Sequence, residues 1–220
     1  MSEDTRSRII VAAATLFCCH GYKQTTLRMI GEQVDITHVS VLRYFKNKNE
    51  LAAQVIYNYI AGLETLCYHF LEEVPAELAD SESYRHMIWW TLHYRILSQN
   101  PTFREFYIAF WSEGQTAVAR ESKSFTPKTL QFIQIAPPIE EDLIYWSLFT
   151  ALDATFARLV GMQALGSVKA TKLMIQQLNK LNFDMPYLPN EDEISDFERA
   201  YLPERNIDLL NEILLANILS

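Results

Sequence analysis

Glycine and proline are scarce in this chain, 6 and 8 residues among 220. Tight turns lean on these residues, so their scarcity argues for few such turns and for long helices. No segment alternates apolar and polar residues with period two, and the fold class expected is all-α. Cysteine is nearly absent as well. Cys18 and Cys19 are adjacent and Cys67 is left over, which excludes a disulfide-stapled secreted scaffold and fits a reducing, cytoplasmic setting. No run approaches the roughly eighteen uncharged apolar residues of a membrane span. The start, Met1-Ser-Glu-Asp-Thr5, is acidic and polar, so no secretory signal is expected either. The chain also lacks a phosphate-cradling glycine loop and a nucleophile elbow. Its carboxylates form solvated runs such as Glu191-Asp-Glu193 rather than an opposed pair. Nothing in it argues for an enzyme.

What the chain does hold is a globular balance. Hydrophobic residues make up 49% and charged residues 21%, enough for a core without metal or disulfides. The length suits one or two domains. The net charge of −8 hides a division. Residues 1–50 carry seven basic and five acidic side chains, net +2, while the remainder carries twelve basic and twenty-two acidic, net −10. Arg43, Lys46 and Lys48 fall within six residues, beside Tyr44. A cluster this small is either a solvated face or a footprint for phosphate, and composition alone leaves both open.

Helical periodicity runs through most of the chain. Ile9, Ala13, Leu16 and Phe17 predict a helix over residues 5–20, with Gly21 as its stop. Thr25 is a plausible N-cap for a short helix to residue 34, carried by Leu27, Ile30 and Val34. After a break at Asp35-Ile36, Thr37 can cap a third helix through Val41 to about Phe45. Asn47 and Glu50 have the spacing of a capping box. Beyond them Leu51, Val55, Tyr59, Leu63, Leu66 and Phe70 line one long amphipathic helix, ended near Pro75. Further helices are expected over residues 84–99, 102–112, 114–121, 126–135, 140–165 (closed by Gly166), 167–181 and 206–219. The acidic, proline-broken stretch 183–203 reads as irregular.

Three short helices within 45 residues, the last two joined by a tight corner, make a helix-turn-helix pattern. The helix starting at Thr37 would enter the major groove of DNA. His38, Val39, Ser40 and Arg43 face outward if Val41 points inward with Leu42 or Phe45. His38 and Ser40 can hydrogen-bond base edges, Val39 can pack on a thymine methyl, and Arg43, Tyr44 and Lys48 suit phosphates.

The runs Ala12-Ala-Ala-Thr-Leu-Phe17, His20-Gly-Tyr22, Thr25-Thr-Leu-Arg-Met-Ile30, Asp35-Ile-Thr-His-Val-Ser-Val-Leu-Arg-Tyr-Phe45 and Lys46-Asn-Lys-Asn-Glu-Leu51 together resemble the tetracycline-repressor (TetR) family. The resemblance covers about the first 55 residues. It implies a homodimeric repressor on a near-palindromic double-stranded DNA operator, released by a small-molecule effector bound in a second helical domain. It also implies a division into 1–47, the helix-turn-helix DNA-binding domain, and 48–220, the helical ligand-binding and dimerisation domain. Carried over by position, the expected DNA-contacting set is Thr26, Arg28, Thr37, His38, Val39, Ser40, Arg43, Tyr44 and Lys48, with Arg28 on a guanine. Two positions depart from the family pattern. Val39 replaces a common Gly or Pro, and Leu42 stands where an aromatic is usual, so no operator sequence is carried over.

Aromatics crowd residues 84–111. Trp89, Trp90, Tyr94, Phe106, Tyr107, Phe110 and Trp111 either line an effector pocket or fill core. Asp153 and Arg158 interrupt an apolar helix. Either they orient an effector, Asp153 being the pocket candidate, or they pair across a dimer interface. Ala151, Ala154, Ala157, Arg158, Gly161 and Leu165 on that helix form the first choice of dimer face, because small residues admit a partner helix. Helix 168–181 and the final helix (Leu209, Leu210, Ile213, Leu214, Ile218) compete with it. His86 and His93, seven apart, are too distant for one metal without further ligands, and His69 lies elsewhere. No metal or cofactor is expected, and adjacent cysteines in a helix make a poor redox sensor. The alternative to a regulator is a helical interaction protein or small-molecule binder that has lost operator binding.

Overall fold

The structure, a computed structural model, describes residues 3–75, 81–112, 142–180, 188–202, 210, 213 and 214. The described secondary structure is entirely helical: α1 (Glu3–Gln24), α2 (Leu27–Gln33), α3 (His38–Tyr44), α4 (Lys48–Glu73), α5 (Glu82–Gln99), α6 (Pro101–Ser112), α7 (Asp142–Gly161), α8 (Ser167–Lys180) and α9 (Glu191–Tyr201). A small helix-turn-helix unit at the N-terminus is followed by a larger helical region. The helices expected over 114–121 and 126–135 lie outside the described residues, as does most of the final one.

Apolar spacing explains which faces meet. On α1, Ile9, Ala13 and Phe17 recur every four residues and are fully buried against α6 and α4. On α4, Leu51, Val55, Tyr59 and Leu63 do the same. Helix α5 is the hub, packing against α4, α6, α7, α8 and α9. Among the described residues no helix is long and apolar enough to cross a membrane.

Several element ends differ from the sequence expectation, each for a local reason. Gly21 does interrupt α1, with φ 76 and ψ 169, but one more turn follows it to Gln24. The N-cap of α2 is Thr26, which accepts from the Met29 amide. Thr25 is instead buried, its hydroxyl set against the carbonyls of Leu16 and Gly21 at 3.1 and 2.8 Å. At α4, Asn47 Oδ1 accepts the Glu50 amide at 2.8 Å, but the Glu50 carboxylate reaches back to the Lys46 amide, one residue past the N-cap amide that a capping box uses. Helix α7 ends at Gly161, four residues early, and Gln163 adopts a left-handed φ of 56. The stretch expected to be irregular contains α9, opened by a full capping box between Asn190 and Glu193.

The small residues proposed as a dimer face are largely consumed inside the protomer. Ala154 and Ala157 are buried, and a Cβ on Gly161 would meet Arg104 Nε of α6 at 2.3 Å. They let α6 approach α7. Ala151, Thr155 and Arg158 form the exposed stripe among the described side chains of that helix, and beyond its end Met162 is exposed and Leu165 half-buried. Leu210, Ile213 and Leu214 are buried too, with the Ile213 carbonyl close over Gly62 of α4.

Candidate nucleic-acid interface

The corner between α2 and α3 is built from four residues. The Val34 and Ile36 amides both donate to the Gly31 carbonyl, at 3.1 and 2.9 Å, and Asp35 takes a left-handed φ of 59. Asp tolerates that conformation better than most residues. Gly31 is required by proximity: a Cβ there would lie 2.7 Å from the Ile36 carbonyl oxygen. Arg8 of α1 then ties the corner down, donating to the Val34 carbonyl at 3.1 Å. Arg6 donates to Gln54 Oε1 at 2.9 Å and lies over the Phe45 ring, joining α1, the end of α3 and α4. Neither arginine was singled out by sequence, because a basic residue near a chain start carries no spacing signal.

Helix α3 is capped by Thr37, whose hydroxyl accepts the Ser40 amide at 3.2 Å and lies 3.0 Å from Ser40 Oγ. Val41 and Phe45 point into the core. That leaves Leu42 on the outside at 41% exposure, next to Val39 at 51%. The outward face is therefore His38, Val39, Leu42 and Arg43, with Lys46 just beyond. Leu42 was missed as a surface residue because its apolar side chain fits the inward stripe equally well. Ser40 and Tyr44 are half-buried, and Thr26 is exposed. Arg28 is exposed as well, paired with Glu32 one turn on at 2.8 Å. That bond, together with the glutamate's charge, raises the already high pKa of the guanidinium.

Lys48 departs most from the expected set. Its ammonium donates to the carbonyls of Tyr22 and Thr25, at 2.8 and 3.1 Å, and sits over the Tyr22 ring. The Tyr22 hydroxyl in turn donates to Asn49 Oδ1. Lys48 thus closes the end of α1 onto α4 rather than pointing at a phosphate.

Behind this unit lies the aromatic cluster. Trp89, Trp90, Tyr94, Phe106, Tyr107, Phe110, Trp111 and Asp153 are all buried. Asp153 accepts from the Tyr107 hydroxyl at 2.5 Å, the Tyr94 hydroxyl at 3.1 Å and His93 Nε2 at 3.1 Å. His93 Nδ1 lies 2.9 Å from the Tyr59 hydroxyl. Helices α5, α6 and α7 meet at this one carboxylate, and α4 joins them through Tyr59 and His93. Burial, reinforced by Asp153, pushes the hydroxyls of Tyr59, Tyr94 and Tyr107 well above the usual tyrosine range. Asp153, expected as a pocket group or a dimer contact, accepts three hydrogen bonds from this chain's own side chains. Trp89 Nε1 is buried with no hydrogen-bond partner among the described residues. Phe106 stacks on Phe17 of α1 with centroids 4.7 Å apart, linking the cluster to the N-terminal unit.

His86 is buried and pushed down to about 4 by that burial and by Arg85 beside it. Burial pushes the Cys18 thiol up to about 12 and raises Cys67 as well, the reverse of what a reactive thiolate needs. Among the described residues no three His, Cys, Asp or Glu side chains gather into a cation site.

Residues 9–55, which span α1 to the start of α4, match the family model for bacterial regulatory proteins of the tetR family. The N-terminal domain belongs to the TetR family. The chain is thus a DNA-binding transcriptional regulator with a helix-turn-helix unit. No curated protein matches the sequence. Helix α3 is the second helix of the helix-turn-helix, and the aromatic cluster lies in the region that follows this unit.

Proposed function

We propose that this TetR-type chain is a homodimeric repressor of a near-palindromic operator, released by a small hydrophobic or aromatic effector. The proposed division is 1–47 for DNA and 48–220 for effector and dimer contacts. The observation that carries the DNA half is the outward face of α3, where Arg43 and His38 are exposed and make no ion pair among the described residues. Within the proposed contact set, Thr26 and Thr37 serve first as helix caps, and Lys48 acts by holding α1 to α4. The effector half rests on the buried aromatics of α5 and α6. Trp89 Nε1 favours an effector with a hydrogen-bond acceptor on an otherwise apolar body. The proposed dimer face is the exposed stripe of α7, Ala151, Thr155 and Arg158, continued by Met162 just past its end, with α8 beside it.

Release would be a population shift. Effector among α5, α6 and α7 would favour a placement of α6 that moves α1 through Phe106 and Phe17, changing the separation of the two recognition helices. The test is selection of bound duplexes from a random pool, with the dimer followed by light scattering. A recovered palindrome supports a sequence-specific dimer. No enrichment at low salt, with a dimer present, favours the interaction-protein reading.

A further inference from the structure

The seven residues of α3 hold two of the five exposed large hydrophobics among the described residues, Val39 and Leu42. Single exposed apolar side chains need no explanation, but an adjacent pair on so short a helix does. At positions i and i+3 they are neighbours on one face. Their surroundings are polar and basic: His38 and Arg43 flank them on the helix and Lys46 follows, all exposed. No carboxylate occurs between Asp35 and Glu50, and the Glu50 carboxylate is turned onto the Lys46 amide. An apolar ridge set among cations complements a surface that is anionic at its edges and carries methyl groups at its centre.

The major groove of DNA is such a surface. Its apolar base-edge group is the C5 methyl of a pyrimidine, while the other edges offer donors and acceptors. We propose that Val39 and Leu42 together read pyrimidine C5 methyl groups, making Leu42 a specificity-determining residue alongside Val39. The proposal rests on the reading of α2–α3 as the DNA-binding unit. Three residues of helix rise about 4.5 Å, against about 3.4 Å per base along a strand, so the two side chains fit methyls on neighbouring base pairs. Leu42 in place of an aromatic gives the helix a second branched aliphatic tip and no further hydrogen-bonding group there.

The experiment uses the full chain and two random duplex pools, identical except that one carries uracil in place of thymine. Affinities are then measured on the selected duplex and on its uracil counterpart. Each methyl read is expected to be worth about fourfold in Kd, from ~0.8 kcal/mol per buried methyl-sized group at 1.4 kcal/mol per tenfold. Leu42→Ala and Val39→Ala should each lower the thymine-to-uracil ratio. Arg43→Ala should weaken both duplexes alike and keep the ratio. A pool with uracil and 5-methylcytosine separates the methyl sources: recovered enrichment shows that the methyl is read on either base, and failure to recover it assigns the reading to thymine. Equal wild-type affinity for the thymine and uracil duplexes overturns the proposal even though DNA binding stands. No enrichment from the thymine pool removes the DNA-binding reading and this proposal with it.

Discussion

Lys46 stands exposed beside Arg43, whereas Lys48, two residues on, turns inward onto the carbonyls of Tyr22 and Thr25. The two lysines should therefore fail differently. Lys48→Ala is expected to cost about 1–2 kcal/mol of stability, the scale of lost charge-assisted hydrogen bonds, and to leave the salt dependence of DNA binding unchanged. Urea unfolding and binding titrations read the two effects separately. A second residue-scale pair concerns pH. His86 is held to about 4 in the fold, against roughly 6.5 unfolded. As pH falls from 6.5 the unfolded chain gains a proton that the folded chain refuses, so this residue removes up to about 3 kcal/mol of stability by pH 4. Burial pushes the Glu64 carboxyl from 4.5 up to about 7. Its contribution is present below 4.5 and lost as pH rises through 7. The two slopes oppose each other between about pH 4.5 and 6.5. His86→Gln should leave stability falling with pH in that window and Glu64→Gln should leave it rising, read from urea midpoints. Unchanged profiles in both variants would contradict these assignments.

At the scale of elements, the corner of the helix-turn-helix is the most constrained piece of backbone. Gly31→Ala must push the Ile36 carbonyl away, with an expected loss of about 1–3 kcal/mol and weaker DNA binding through splayed α2 and α3. A variant with wild-type stability and affinity would show that the corner gives easily. The hub of the larger region is a polar one. Asp153→Asn replaces one acceptor oxygen with a donor, facing either the Tyr107 hydroxyl or the Tyr94 hydroxyl and His93 Nε2, so at least one buried donor loses its partner. About 1–3 kcal/mol should go, measured by urea unfolding.

These same elements show what the sequence made legible. Periodicity located Ile9, Ala13 and Phe17 and the α4 stripe correctly, because burial of one face dictates the spacing. The caps at Thr37 and Asn47 were legible as local chemistry, while Thr25 and Thr26 were not separable, since either hydroxyl could cap α2. Helix α9 was missed although Asn190 and Glu193 spell the capping box that opens it; the acidic run masked the signal, and only Ile194 and Phe197 reach the core. The convergence on Asp153 was not legible at all. It joins residues 46 to 94 positions apart, Tyr59, His93, Tyr94 and Tyr107, and no spacing rule reaches that far. The small residues of α7 could equally have met a partner or this chain's own α6. Gly161 lies against Arg104 of α6, while Ala151 stays exposed.

For the molecule as a whole, the proposed coupling depends on α6. Its neighbouring residues Phe106 and Tyr107 face two ways, Phe106 onto Phe17 of the DNA-binding unit and Tyr107 onto Asp153 of the aromatic cluster. An effector that repacks this cluster therefore has a short, dense route to α1. The central claim, though, is that the exposed cationic face of α3 binds DNA. It is tested most directly by the salt dependence of affinity for a selected duplex, compared between wild type and Arg43→Ala. Binding should weaken steeply with salt, and the slope of log K on log salt should fall by about 0.9 for each phosphate contact the substitution removes. A wild-type affinity that ignores salt, or a slope that Arg43→Ala leaves untouched, would contradict the account.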